Sequence, residues 1–187
     1  MGGTFDPIHL GHLRAAENAR EELDLHEVRF LPAQVPPHRA VPATSARDRY
    51  AMVALATAFH PQFVADDLEL RREGPSYTVD TIAQLRDERP GDDVVLIVGS
   101  DTYPELSTWK DHDRLHRMCT VAVVTRPDDG RPGRTDPQES PALRRVPGPG
   151  LAVSATDIRR RVKEGRSIRY LVPDAVADYI AKRGLYR

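Results

Sequence analysis

Two histidines, His9 and His12, stand three residues apart directly after a glycine-rich stretch near the start of the sequence. Their imidazole N–H groups can donate hydrogen bonds to phosphate oxygens. Apolar residues then recur with helical spacing over 13–23, so the stretch leads into a helix N-terminus, where exposed amides and the positive end of the dipole attract anions. Gly2 and Gly3 let a ligand approach the backbone closely. The combination predicts a nucleotide-phosphate site.

The residue types alone leave a structural interpretation open, because Gly2-Gly3 and Asp6-Pro7 are also ordinary turn dipeptides. Metal binding is disfavoured, and no metal site is predicted. A His-x-x-His pair needs further ligands to hold an ion, and Cys119, the one cysteine, is distant in the sequence.

The complete string is more specific than its parts. Residues 2–7, Gly-Gly-Thr-Phe-Asp-Pro, and residues 9–12, His-Leu-Gly-His, together resemble the signature of the nucleotidyltransferase superfamily, whose His-x-Gly-His element binds ATP phosphates. The resemblance implies that His9 and His12 are catalytic residues in contact with these phosphates. It also implies that the ATP site is lined by the backbone of Gly2, Gly3, Thr4 and Phe5.

A second phosphate site is predicted near the other end of the sequence. Ser154 can cap a helix that has Thr156 in its first turn and arginines at 159–161, a combination suited to a polyphosphate. A capped surface helix with solvated arginines is the alternative, and three successive arginines cannot share one face. Residues 153–159 resemble the superfamily's second motif, Ile-Ser-x-Thr-x-Ile-Arg, with valine in place of the first isoleucine. The resemblance implies that Ser154, Thr156 and a catalytic Arg159 hold the β- and γ-phosphates.

Motifs in the middle of the chain indicate the acceptor. In order along nearly the whole chain, the sequence resembles the bacterial nicotinate-nucleotide adenylyltransferase family at 36–39 (Pro-Pro-His-Arg), 74–78 (Gly-Pro-Ser-Tyr-Thr), 99–101 (Gly-Ser-Asp), 107–109 (Ser-Thr-Trp) and 184–187 (Gly-Leu-Tyr-Arg). The resemblance implies transfer of the adenylyl group of ATP to nicotinate mononucleotide, giving nicotinate adenine dinucleotide and pyrophosphate in NAD biosynthesis. Mg²⁺, bound largely by substrate oxygens and water, is the expected cofactor.

The same resemblance implies roles on the acceptor side. The ring of Trp109 stacks on the pyridine, while the Thr78 hydroxyl and the amide after Trp109 receive the nicotinate carboxylate. Asp101 holds a ribose in the ATP site, and His38 or Arg39 reaches the phosphate of the mononucleotide. From the residues alone, a lone tryptophan is more often core packing, and a helix N-cap is the alternative role for Asp101. Lys110 either adds a positive charge near the carboxylate or points to water.

Three other functions remain to be separated from this one. A related adenylyltransferase would act on nicotinamide mononucleotide or phosphopantetheine, and a non-catalytic sensor would bind a nucleotide without turnover. A nucleic-acid binder using the basic run at 159–169 is disfavoured, because the formal net charge is -1.

No apolar run approaches the roughly 20 residues of a membrane span. The expected partners are therefore small molecules, and the oligomeric state, a homo-oligomer included, is left open.

Strands alternate with helices along the chain, which predicts an α/β fold with a Rossmann-like, doubly wound, mostly parallel sheet and small C-terminal helices. We expect a single domain, 1–187, with a surface loop at 127–150, where six prolines and four glycines fall. Predicted strands lie at 28–31, 63–70, 94–98, 121–125 and 151–153, and a capping box at Ser45 opens a helix that runs to about 59.

The first strand is expected to be truncated. Signature turns of this type follow a buried strand of about 5 to 6 residues, yet only Met1 precedes Gly2. The native chain is therefore expected to carry several more apolar residues upstream. One cysteine and the lack of a signal-peptide pattern predict a cytoplasmic location.

Overall fold

The computed structural model describes residues 1–37, 41–125, 142–148 and 150–187. The six strands in these ranges are β1 (Gly2–Gly3), β2 (Val28–Pro32), β3 (Phe63–Ala65), β4 (Val95–Gly99), β5 (Thr120–Thr125) and β6 (Leu143–Pro147). The α-helices are α1 (Leu10–Glu22), α2 (Ala46–Thr57), α3 (Thr78–Glu88), α4 (His112–Met118), α5 (Ala155–Lys163) and α6 (Asp174–Arg183). Two 3₁₀ segments cover Leu68–Arg71 and Tyr103–Thr108. None of the helices in the described ranges combines the length and the apolar composition that a membrane-spanning segment needs.

All strand pairs in these ranges are parallel, and the strands form two sheets ordered β1-β2-β3 and β4-β5-β6. The sheets meet where β1 lies beside β4. Read across both sheets, the order is 3-2-1-4-5-6, the order of a doubly wound Rossmann fold. The predicted fold is thereby confirmed. Its topological switch point falls between β1 and β4, where open sheets of this type bind ligands.

The central strands are buried on both faces. Along β4, Leu96 and Val98 pack into a cluster with residues of α3 and α4, while Ile97 packs on the opposite face with residues of α1, α2, α5 and α6. Along β5 the same alternation places Val123 on the first face and Ala122 on the second. This explains why both strands read as uninterrupted apolar runs in the sequence.

The first strand is short, as expected. Gly2 and Gly3 pair with Leu31 and Pro32 of β2, and the amide of Leu31 also donates to the carbonyl of Met1 (3.0 Å). Two residues of ladder thus connect the glycine-rich turn to the sheet, and other contacts have to fix the position of that turn.

Two strand predictions are wrong in detail. The last strand is Leu143–Pro147, not 151–153, and it occupies part of the range expected to be a loop. As an edge strand it buries only Leu143 and Val146, so the exposed arginines between them conceal the strand pattern. β3 stops at Ala65, because the next carboxylate, on Asp66, accepts the amide of Leu68 (2.9 Å) and turns the chain. Residues 126–141 and 149 lie outside the described residues.

A buried arginine fastens the glycine-rich turn to the end of β2. The predicted capping residue Ser45 opens α2, and Arg49, one turn later, is 1 % exposed. Its guanidinium donates to the carbonyls of Thr4 (2.7 Å), Ala33 (2.6 Å) and Gln34 (3.3 Å). Burial lowers the pKa of Arg49, and the largest opposing contribution comes from the charge of Asp6.

We expect Arg49→Met to lower the free energy of unfolding by about 3 kcal/mol or more, because buried carbonyls lose their donors and a Met side chain supplies none. Urea unfolding measures the change. Arg47→Met is the matched control, since Arg47 lies on the same helix and is exposed. Equal effects of the two substitutions would contradict the assigned role of Arg49.

Candidate active site

A cavity of about 690 Å³ opens at the carboxyl ends of β1 and β4, at the switch point of the sheet. The predicted site residues in the described ranges all line it: Gly2, Gly3, Thr4, Phe5, His9, His12, Thr78, Asp101, Trp109, Ser154, Thr156 and Arg159. His38 and Arg39 lie outside the described residues, so their role stays a prediction. Residues more than 150 positions apart in the sequence thus line the same cavity.

The two histidines hold each other at the N-terminus of α1. The amide of His12 donates to Nδ1 of His9 (3.3 Å), and the amide of His9 donates to Nδ1 of His12 (3.2 Å). Their rings stack with centroids 3.6 Å apart. Because Nδ1 accepts a hydrogen bond in both rings, the neutral form of each ring carries its proton on Nε2. Each imidazole therefore has a fixed orientation and a defined donor atom.

Missing side chains make room for this arrangement. A Cβ on Gly11 would lie 3.0 Å from Nδ1 of His9, and a Cβ on Gly3 would lie 3.0 Å from the ring of Phe5. Phe5 itself adopts a left-handed backbone conformation (φ 49°), and its ring meets the ring of His12 edge to face at 5.1 Å. The glycines are needed here for close packing around the histidines.

Asp6 joins the turn to two other parts of the chain. Its buried carboxylate accepts the hydroxyls of Thr44 and Tyr186 and the amide of Ala43, each at 2.7 Å. Burial, followed by the bond to Asp6, raises the pKa of Tyr186 above its ordinary value. The tyrosine therefore stays a neutral donor at physiological pH. The loop before α2 and the segment after α6 are both fixed to the turn.

The N-terminus of α5 lies against the same turn. Ser154 caps α5 by accepting the amide of Asp157 (3.2 Å). Arg159 donates to the main-chain carbonyl of Asp6 (2.7 Å) and to the hydroxyl of Thr156 (3.2 Å). The two predicted phosphate motifs are thus joined directly, and a guanidinium stands between the N-termini of α1 and α5.

The other two arginines of the run belong to the surface of α5. Arg160 pairs with Asp157 and with Glu164, and Arg161 pairs with Asp157 (2.8 Å). The solvated-helix alternative therefore describes Arg160 and Arg161.

The N-terminus of α3 and Trp109 form the far wall of the cavity. The Ser76 hydroxyl accepts the amide of Gln34 (2.9 Å), which fixes the start of α3 beside the loop after β2. Thr78 is the first residue of α3. Tyr77 is the N-cap residue of α3. Among the described residues 41–125, its side chain makes no capping hydrogen bond. The first turn of α3 thus faces the cavity without a cap from its N-cap residue.

Trp109 ends the 3₁₀ segment, and its ring packs at the edge of the α3–α4 cluster while also lining the cavity. The next side chain, Lys110, places Nζ 3.0 Å from Oδ2 of Asp80 and 4.6 Å from the centre of the Tyr77 ring. Lys110 therefore reaches back to the first turn of α3.

Asp101 follows β4 on the cavity wall. The N-cap of the 3₁₀ segment is Thr102, so Asp101 is not the cap residue that the sequence left open. A Cβ on Gly99 would clash with Oδ1 of Asp101. The glycine is required for the carboxylate to fold back over the strand end.

Comparison with known proteins identifies the family. The profile described as cytidylyltransferase-like matches residues 1–161. A Thermus thermophilus protein named "Probable nicotinate-nucleotide adenylyltransferase" is 49% identical over 189 residues, which cover 100% of this chain and 97% of the relative. A Chromohalobacter salexigens protein of the same name is 44% identical over 205 residues, covering 100% of this chain and 94% of the relative. The chain belongs to the nicotinate-nucleotide adenylyltransferases of the cytidylyltransferase-like family.

Solved structures of nicotinate-nucleotide adenylyltransferases share the fold. The Plasmodium falciparum nicotinic acid mononucleotide adenylyltransferase complexed with NaAD superposes with a TM-score of 0.80 at 20% identity, covering 99% of this chain and 94% of that one. A putative nicotinate-nucleotide adenylyltransferase from Vibrio parahaemolyticus gives a TM-score of 0.73 at 18% identity, covering 100% and 92%. The fold and family predicted from the motifs are confirmed.

Three residues that organise the adenylyltransferase site were not singled out by sequence reasoning. The sequence places Asp6 in a turn and Tyr186 in a terminal motif, and neither position indicates the contact between them. The sequence does indicate that Arg49 is unusual. It lies three and four positions before Met52 and Val53, so its charge falls on the apolar face of α2.

We expect Gly11→Ala to lower kcat by about tenfold, because the added methyl group has to displace the His9 ring and small displacements of reacting groups are costly. Stability changes little in the same variant, since alanine also improves the helix. Steady-state kinetics and thermal unfolding measure the two effects. Unchanged kcat would show that the ring position tolerates the extra methyl group.

Proposed function

We propose that this chain transfers the adenylyl group of ATP to nicotinate mononucleotide and releases nicotinate adenine dinucleotide and pyrophosphate. The observation that carries the proposal is a single cavity with the N-termini of α1 and α5 at one end and the N-terminus of α3 with Trp109 at the other. The full-length similarity to nicotinate-nucleotide adenylyltransferases supports the same reaction.

The polyphosphate of ATP binds between α1 and α5. His9 and His12 donate from Nε2 to the α- and β-phosphates, an assignment supported by the Nδ1 atoms, which accept main-chain amides. Arg159, with the hydroxyls of Ser154 and Thr156, holds the β- and γ-phosphates. Helix N-termini, amides and a guanidinium together match a ligand with several negative charges.

The nucleoside parts bind on either side of the phosphates. The backbone from Gly2 to Phe5 and the carboxylate of Asp101 serve the ATP side, where Asp101 accepts from a ribose hydroxyl. On the acceptor side the Trp109 ring stacks on the pyridine, and such stacking contributes roughly 1 to 3 kcal/mol. The Thr78 hydroxyl and the amide after Trp109 receive the nicotinate carboxylate.

The reaction is an in-line displacement at the α-phosphorus. An oxygen of the 5′-phosphate of the mononucleotide forms the new O–P bond, and the bond to the β-phosphate breaks with its electrons passing to pyrophosphate. The attacking phosphate is already ionised at pH 7, so no general base is required. The protein contributes position and charge stabilisation, and the fixed histidines suit that role.

Mg²⁺ enters with ATP as part of the substrate complex and offsets the negative charge of the phosphates. In the described ranges no three or more His, Cys, Asp or Glu side chains come together as a metal cluster. An ion bound mainly by phosphate oxygens and water needs no dedicated cluster of protein ligands. The proposed location is the cytoplasm, consistent with the buried free thiol of Cys119.

A substrate panel tests the function. We expect pyrophosphate release with ATP and nicotinate mononucleotide, and far slower release with nicotinamide mononucleotide or phosphopantetheine. Faster turnover of either alternative acceptor would reassign the substrate. ATP binding with no pyrophosphate release for any acceptor would point to a non-catalytic sensor.

We expect His12→Ala to lower kcat by about 10²-fold or more, the scale of losing one oxyanion donor. His12→Asn is the matched variant, because its amide oxygen can replace Nδ1 as the acceptor for the His9 amide but offers no donor at the position of Nε2. If catalysis depends on the proton that His12 donates from Nε2, His12→Asn is more stable than His12→Ala but has the same low kcat. Restored kcat in His12→Asn would assign His12 a capping role only.

A further inference from the structure

Lys110 connects the two elements that form the acceptor wall. It follows Trp109 in the chain, and its ammonium lies 3.0 Å from Oδ2 of Asp80 in the first turn of α3. The same ammonium lies over the ring of Tyr77, 4.6 Å from its centre. Asp80 and Tyr77 thus hold the charge of Lys110 against the start of α3, whose first residue is Thr78.

The position of Asp80 creates an electrostatic conflict for an anionic ligand. Thr78 lies two residues before Asp80 in the same turn, and the proposed nicotinate carboxylate binds at that turn. An acidic residue in a first turn stabilises the helix through the dipole, but it also repels a second carboxylate at the same place. The turn accepts an anion more readily when the charge of Asp80 is offset.

We propose that Lys110 is a specificity-determining residue, which neutralises Asp80 so that the first turn of α3 accepts a pyridine carboxylate in preference to a neutral carboxamide. The inference rests on the proposed function and refines its acceptor site. Lys110 acts through Asp80 and is a positioning residue, since its ammonium is held on α3 by Asp80 and Tyr77.

The exposure of the pair separates this role from a structural one. The side chains of Lys110 and Asp80 are 44% and 36% exposed, and exposed ion pairs contribute little to folding. Removing Lys110 therefore leaves the fold intact, whereas it exposes the bound carboxylate to the unpaired charge of Asp80. Selectivity between acceptors changes while thermal stability does not.

The test compares nicotinate and nicotinamide mononucleotides in pyrophosphate-release assays at low ionic strength. We expect Lys110→Ala to raise KM for nicotinate mononucleotide by about fivefold, a value typical of losing one screened charge interaction. KM for ATP and for nicotinamide mononucleotide stays unchanged. Lys110→Arg keeps the charge and the wild-type selectivity. The effect shrinks in high salt, because exposed charges are screened.

Asp80→Asn provides the decisive second variant. Alone it does not raise KM for nicotinate mononucleotide, and combined with Lys110→Ala it restores KM to within about twofold of wild type, since the repelling charge is gone. A rise in KM with Asp80→Asn alone, or no restoration in the double variant, would overturn the proposal.

Arg89→Ala is the matched control. Arg89 lies at the other end of α3, where it forms an exposed pair with Asp92, so its loss tests general loosening of the helix. A selectivity change in Arg89→Ala equal to that of Lys110→Ala would overturn the proposal. Turnover by the wild type with unchanged selectivity in Lys110→Ala would overturn this inference alone. No turnover of nicotinate mononucleotide by the wild type would overturn the proposed function as well.

Discussion

The carboxylate of Asp6 is the contact on which the rest of the site depends. The first strand contributes only a two-residue ladder, so the turn that carries the histidines takes its position from side-chain contacts. Asp6 supplies them by accepting three short hydrogen bonds from the loop before α2 and from Tyr186, while its carbonyl accepts Arg159. Arg49 adds a buried guanidinium beneath the same turn. A buried carboxylate is costly unless its oxygens are satisfied, and here several donors satisfy it.

The two ends of the cavity are held by different kinds of contact, buried at one end and exposed at the other. At the proposed phosphate end, main-chain amides, glycine contacts and buried side chains fix His9 and His12. Such preorganisation is what stabilisation of a developing charge requires. At the acceptor end, an exposed pair between Lys110 and Asp80 spans two elements. The proposed phosphate-binding geometry is therefore anchored in the core, while the proposed acceptor preference depends on surface charges that can change without disturbing that geometry.

Sequence reasoning recovered the parts of this molecule whose chemistry restricts the residue types. Glycines, histidines and a capped helix with Arg159 are recognisable because the proposed phosphate binding restricts the residue types at a fixed spacing. The parallel strands were recognisable because burial on both faces requires unbroken apolar runs. The role of Arg49 was not predicted, because its partners are main-chain carbonyls from distant segments, and no pattern of residue types indicates such partners. β6 was not predicted, because this edge strand buries only two of its side chains.

The bond between Tyr186 and Asp6 spans 180 positions of sequence, and this separation also sets an order of events in the cell. At typical synthesis rates, roughly 10 to 40 seconds pass between the emergence of these two residues from the ribosome. Throughout that interval the histidine turn exists without its last donor. The hydrogen bond from Tyr186 to Asp6 can therefore form only after residue 186 has been synthesised, so the turn gains this contact late in the synthesis of the chain.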